Sequence, residues 1–225
     1  MLIFCPIFRH SATFLTGAVE THQTRLGPVE KTDLSVILLT GGTSARMGRD
    51  KADLPFGPDT LLMFQLARIP PGIQIIVVGE SHDSLPDVVF TRENPVGSGP
   101  VAAVAAGLEF VDSPCVVLLG VDTPFALPHL LSLELAPAVD ALIPRDLMGK
   151  LQYLTGIYRT QSVRWALDRI GPPVGKSMRQ LIGELPTVEH VQLTSGNAES
   201  FLDIDTPADL AAALEMLRRH PKVGP

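Results

Sequence analysis

The chain has 225 residues, 45% of them hydrophobic and only 5% aromatic, with a formal net charge of −6. That length suits one α/β domain with at most a tail, and the acidic balance argues against a non-specific grip on nucleic acid or an anionic membrane. Cys5 and Cys115 are too few for a disulfide framework or a zinc site, and no apolar stretch reaches the roughly eighteen residues that span a bilayer. The apolar start is followed at once by Arg9 and His10 and has no charged segment before it, so a cytoplasmic setting is expected rather than secretion.

Residues 1–33 show neither helical nor strand periodicity and are expected to be a disordered extension, followed by a single domain over 34–220. Within that domain strands are expected at 34–39, 73–78, 88–91, 115–119, 141–144, 153–158 and 188–193. Helices are expected at 60–68, 100–111, 128–135, 161–170 and 176–181. A last helix opens at Thr206-Pro207-Ala208-Asp209 and runs to about Arg219. There Thr206 is a good N-cap, Pro207 fits the first helical position and Asp209 favours the dipole. The alternation predicts a doubly wound, mostly parallel α/β sheet with a core of Val, Leu, Ile and Ala under helices on both faces.

The stretch Leu38-Leu39-Thr40-Gly41-Gly42-Thr43-Ser44-Ala45-Arg46-Met47-Gly48-Arg49-Asp50-Lys51 leaves the carboxyl end of the first expected strand, the place where open α/β sheets bind ligands. Gly41, Gly42 and Gly48 let the backbone approach a ligand with no Cβ in the way. Free N–H groups there, helped by Arg46, Arg49 and Lys51, suit a polyphosphate. The spacing is not that of the common P-loop, because Gly48 is followed by Arg49-Asp50 instead of Lys-Ser/Thr. Arg46 or Lys51 taken alone reads as a solvated charge; the whole string reads as a phosphate cradle. Two acidic positions stand out further on. Asp122 follows the apolar run Val116-Val117-Leu118-Leu119, and Leu202-Asp203-Ile204-Asp205-Thr206-Pro207 places Asp203 and Asp205 on one face of an extended segment. Asp122 alone reads equally as a cap before Pro124. The six histidines are scattered without ligand spacing, and no Ser-His-Asp or Cys-His set follows from their order.

The glycine string resembles the signature loop of nucleotidyltransferases, and most closely that of the molybdenum cofactor guanylyltransferases. Their pattern is Leu-x-Gly-Gly-x-Ser-x-Arg-Met-Gly-x-Asp-Lys, often ending in Leu-Pro-Phe. Residues 39–51 match it and Leu54-Pro55-Phe56 follows, with Thr40 where the family usually has Ala. Asp122-Thr123-Pro124-Phe125 is similar to the family's Asp-x-Pro-Phe. Asp203-Ile204-Asp205-Thr206-Pro207 is similar to its Asn-x-Asn-Thr-Pro, with both Asn replaced by Asp. Gly99-Pro100 matches a further family loop, whose usual Asp gives way to Glu93-Asn94.

The resemblance implies a Rossmann-like nucleotidyltransferase fold in three layers and transfer of GMP from GTP to the phosphate of molybdenum-bound molybdopterin. It implies magnesium on Asp122 with Asp205 or Asp203, as nucleotidyl transfer brings negative groups together and magnesium takes a few carboxylates plus phosphate oxygens. Arg46, Lys51 and Asp122 are implied to be catalytic. Leu39, Gly41, Gly42, Ser44, Arg46, Gly48, Lys51, Glu93, Asn94 and Gly99 are implied to hold the nucleotide, and Arg159, Lys176 and Arg179 the acceptor phosphate. GTP and molybdopterin are then the small-molecule partners, with transient contact to proteins that mature molybdoenzymes, and neither nucleic acid nor membrane is a partner.

Two readings from other classes stay open on the sequence. Gly97-Ser98-Gly99-Pro100-Val101-Ala102, with Asp122 about twenty residues on, fits a dinucleotide fingerprint and would make a nicotinamide-dependent oxidoreductase. Thr40 and the Glu93-Asn94 departure would fit a nucleotide-binding module without catalysis. Within the transferases, cytidylyl transfer or a different phosphorylated acceptor is the alternative.

Overall fold

A computed structural model describes residues 33–41, 50–81 and 85–219. The expected extension therefore falls, but for Asp33, outside the described residues. Leu34–Leu39 (β1) is buried at every position, as is Cys115–Gly120 (β6). Near-continuous apolar runs of this kind belong to strands covered on both faces. They lie side by side at the centre of a seven-stranded sheet that also holds Gln74–Val78 (β4), Val88–Thr91 (β5), Ala141–Arg145 (β7), Gly156–Arg159 (β8) and Val188–Gln192 (β9). The order is β5-β4-β1-β6-β8-β7-β9. Only β8 runs against its neighbours; the pairings β1/β4, β1/β6, β4/β5 and β7/β9 are parallel.

Alternate residues of β1 feed two separate cores, which makes three layers. Val36 and Leu38 face one with Leu61, Leu62, Phe64, Leu127 and Ala213, from helices α1 (Leu61–Leu66), α3 (Ala126–Leu130) and α6 (Pro207–Arg219). Ile37 and Leu39 face the other with Val101, Val104, Val163, Ala166 and Leu181, from α2 (Pro100–Leu108), α4 (Thr160–Ile170) and α5 (Met178–Ile182). Gly107 lets α2 lie close on the sheet: a Cβ there would sit 2.9 Å from Ile37 Cγ2 and 3.0 Å from Val78 Cγ2. Fully buried side chains such as Ile37 and Leu38 each contribute roughly 2 kcal/mol by leaving water. Among the described residues no helix is long and apolar enough to cross a membrane.

The expected elements are all present, with shifted ends. The helix expected at 128–135 is Ala126–Leu130, because Pro128 is tolerated in a first turn and the chain then tightens through Ser132 N–H to His129 O and Leu133 N–H to Leu130 O. The strand expected from 153 begins at Gly156, since Thr155 N–H closes a turn on Gln152 O at 2.9 Å. A small hairpin, Pro55–Phe56 (β2) with Asp59–Thr60 (β3), was not foreseen; it turns at Gly57, whose φ of 68° favours glycine.

Candidate active site

Successive connections run outward from β1 through β4 to β5 and then return to β6 on the other side, so the sheet's switch point lies between β1 and β6. A crevice outside the carboxyl ends of the strands at such a point is where ligands bind. Leu39 pairs with Gly120, and Val121 N–H donates to Leu39 O at 3.0 Å. The start of the glycine loop and Asp122 therefore leave the sheet side by side. Gly42, Ser44, Arg46 and Gly48 lie outside the described residues; Gly41 is exposed at the loop's entrance.

The loop returns at Lys51, and its ammonium reaches both acidic positions. Nζ donates to Asp122 Oδ2 at 2.8 Å and to Asp205 Oδ1 at 2.7 Å. The Lys51 side chain is 10% exposed, Asp122 29% and Asp205 55%. Burial pulls the Lys51 pKa down, but the bonds and charges of Asp122 and Asp205 outweigh it and hold the ammonium above its ordinary value. Asp203 completes the group: one oxygen from each of Asp122, Asp203 and Asp205 lies within 4.8 Å of the others. Burial, and then the charges of Asp122 and Asp205, push the Asp203 carboxyl up to about 6. Three carboxylates against one ammonium leave about two negative charges, and hard oxygen donors of this kind suit magnesium or manganese.

Several contacts fix Asp122. Ile204 N–H donates to Asp122 O at 2.9 Å, tying the 203–205 segment to it. A Cβ on Gly120 would stand 2.4 Å from Asp122 Oδ1, so the carboxylate folds back over a position only glycine leaves free. Phe56, Phe64 and Phe125 pack with ring centroids 4.7 to 5.9 Å apart, joining the segment after Lys51, α1 and the turn after Asp122. Asp205 is held by the helix that follows. Thr206 caps α6 by accepting from Asp209 N–H at 3.3 Å, while its own hydroxyl and N–H donate to Asp209 Oδ2 at 2.8 Å and Asp205 N–H donates to the same oxygen at 3.2 Å.

Gln65 was missed by sequence reasoning. It is fully buried on α1, and its Nε2 donates to Gly120 O at 3.1 Å and Val121 O at 3.3 Å, immediately before Asp122. A polar residue on the apolar face of α1 was the available signal. The Thr40 departure also has a local reason. Its hydroxyl and N–H both donate to Val78 O at 3.1 Å, and a Cβ on Gly79 would lie 1.7 Å from Thr40 Oγ1. Thr40 is accommodated because its neighbour across the strands is glycine.

The remaining expected residues divide. Glu93 accepts from Gly97 N–H at 2.9 Å, so its carboxylate closes its own loop, while Asn94 is exposed. Both follow β5, three strands from β6 and about 14 Å away at ~4.8 Å per strand. Gly99 precedes α2, and Gly175 N–H donates to Ser98 O at 2.8 Å, which brings Lys176 beside that loop. Lys176 and Arg179 line one groove. Arg159 does not reach the cleft: it pairs with Cys115 at the opposite end of β6, and its guanidinium donates to Val139 O and Ala136 O at 2.8 and 2.7 Å. The dinucleotide fingerprint fails on topology. Eight residues separate β5 from α2, and Asp122 follows a strand three places away instead of an adjacent one.

Comparison with known proteins identifies the family and the fold. Residues 36–188 match the model of the MobA-like NTP transferase domain. The chain is 31% identical over 192 residues to a Mycolicibacterium paratuberculosis protein named "Probable molybdenum cofactor guanylyltransferase", covering 80% of this chain and 94% of that one. Its fold is similar to that of molybdopterin-guanine dinucleotide biosynthesis protein A from Archaeoglobus fulgidus, with a TM-score of 0.63 at 21% identity over 82% of this chain and 99% of the other. It is similar also to 2-C-methyl-D-erythritol 4-phosphate cytidylyltransferase from Thermus thermophilus, with a TM-score of 0.60 at 22% identity over 83% and 99%. The chain belongs to the MobA-like NTP transferase family and is a nucleotidyltransferase.

Proposed function

We propose that the protein transfers GMP from GTP to the phosphate of molybdenum-bound molybdopterin and releases pyrophosphate. The observation behind this reading is the meeting of Lys51, Asp122 and Asp205 at the carboxyl edge of the sheet, in a chain 31% identical to a relative named for that reaction. Magnesium, held by Asp122 with Asp205 and Asp203, would neutralise phosphate charge. The acceptor phosphate is already a nucleophile, so no strong protein base is needed, and the chain's residues act by alignment and charge. Lys51 holds phosphate oxygens against the acidic cluster and balances the charge that develops on the departing pyrophosphate. Arg46 and the N–H groups of residues 42–48 share that load. Leu39 and Gly41 offer backbone contacts at the edge of the cleft. Lys176 and Arg179 are the cations offered to the acceptor phosphate; Arg159 is not. We take the protein to act in the cytoplasm on these small molecules, with transient contacts to maturation proteins.

The deciding experiment incubates the full chain with molybdopterin, magnesium and each of GTP, CTP, ATP and UTP, and follows pyrophosphate. GTP-dependent release that requires the acceptor is expected. Release with CTP alone would support the cytidylyl alternative, to which the likeness with a cytidylyltransferase fold also points.

A further inference from the structure

Beside the end of α1 lies a cavity of ≈ 390 Å³. Its walls include Arg68, Phe125, Pro128, His129, Ser200 and Met216, and no carboxylate lines it among the described residues. Arg68 is half-buried just past α1, with its guanidinium carbon 5.0 Å from the Phe64 ring centroid, and its buried Nε has no hydrogen-bond partner among the described residues. Burial lowers the pKa of this guanidinium, and among the described residues no carboxylate offsets it. A partly buried guanidinium with one N–H left without a partner is stabilised by an anion that reaches it. The other walls are apolar or weakly polar. His129 is already engaged by Asn197 at 3.3 Å and packed edge-on to Phe201 at 5.4 Å. Apolar walls around one convergent charged group are the usual make-up of a small-molecule site of this volume.

We propose that this cavity binds an organic oxyanion, a carboxylate or phosphate monoester on a one- or two-ring apolar body, with Arg68 gripping the anionic group and Phe125 and Met216 packing the rest. A guanidinium offers planar N–H pairs that match either headgroup. The location gives the site a consequence. Phe125 lies three residues after Asp122, and Ser200 three residues before Asp203. An occupant therefore touches both segments that carry the acidic cluster. That consequence rests on the nucleotidyl-transfer reading; occupancy of the cavity does not.

The test titrates the full chain with 1-naphthoate, 1-naphthyl phosphate and uncharged 1-naphthamide by ligand-observed NMR, with and without GTP. Saturable binding of one anion is expected, at least tenfold tighter than the amide, not displaced by GTP and weakened at least tenfold in Arg68→Met. The ranking of the two anions separates a carboxylate from a phosphate ester. Ser200→Phe fills the cavity and keeps Arg68, so it should abolish binding even if Arg68→Met fails to fold. No saturable binding by the wild type, displacement by GTP, or wild-type affinity in Ser200→Phe would overturn the proposal.

Discussion

Lys51 and Asp122, 71 residues apart in sequence, meet through a 2.8 Å hydrogen bond between Nζ and Oδ2. The contact exists because β1 and β6 are neighbours, so the end of the glycine loop and the end of β6 open on the same crevice. Removing the ammonium leaves Asp122, Asp203 and Asp205 facing one another with less compensation. Lys51→Ala is expected to keep the fold and lose about 100-fold or more in kcat/KM for the nucleotide, the scale seen when a preorganised charge partner is removed. Steady-state pyrophosphate release beside a thermal melt checks this, and unchanged kinetics would return Lys51 to a merely solvated role.

Gly120 tests the placement of Asp122 without touching the carboxylate itself. A methyl group there would stand 2.4 Å from Asp122 Oδ1 and 3.9 Å from Thr123 Oγ1. The carboxylate must swing away, whereas the backbone needs no left-handed conformation at that position. Gly120→Ala is expected to weaken divalent-cation binding at least tenfold, read by manganese titration, with a melting temperature within a few degrees of the wild type. Equal manganese affinity would show that Asp122 tolerates the displacement.

Asp203 predicts a pH dependence of stability in the metal-free protein. Its carboxyl is pushed up from 3.8 to about 6 by burial and by Asp122 and Asp205. The folded state thus binds the proton more tightly than the unfolded chain, and this group's contribution to stability improves as pH falls from about 7 toward 4. Asp203→Asn is neutral throughout. It should be more stable than the wild type at pH 7.5 by on the order of 1 kcal/mol, after discounting for partial solvent exposure, and the gap should shrink to about half by pH 5. Denaturant unfolding at the two pH values measures both quantities; a gap that widens on acidification would contradict the assignment.

Gln65→Met keeps the volume of a fully buried side chain and removes two donors, those to Gly120 O and Val121 O. Gly120 O keeps Thr123 N–H at 3.2 Å and the Thr123 hydroxyl at 3.0 Å, and the substitution also removes Gln65 Oε1, which is buried without a partner. Stability should therefore change by only about 1 kcal/mol. The loosened turn before Asp122 should lower kcat about tenfold, because small displacements in a charge-aligned site are costly, with little change in nucleotide KM. A variant with wild-type kcat would make Gln65 a packing residue only.

The alternation of apolar runs made the strands and most helices legible, since a parallel sheet under helices leaves its central strands apolar on both faces. Asp122, Asp203 and Asp205 stood out because an apolar run ending in Asp and an alternating Asp pair are local patterns, and Lys51 only as part of the whole glycine string with its family resemblance; the structure brings the four together. What stayed hidden depended on contacts across the chain. Gln65 bonds to carbonyls 55 and 56 residues away, and Thr40 fits only because Gly79 stands opposite. Arg159 looked like any other cation in sequence, yet an antiparallel β8 delivers it to the wrong edge. Glu93 likewise gave no sign that its carboxylate would be spent on Gly97 N–H.

The most direct measurement is pyrophosphate release with GTP, magnesium and molybdopterin by the wild type and by Asp122→Asn, an isosteric change that removes one charge from the cluster. A loss of at least about 100-fold at unchanged melting temperature is the expected result. Turnover within about twofold of the wild type, with the variant folded, would show that the reaction does not take place where Lys51 and Asp122 meet.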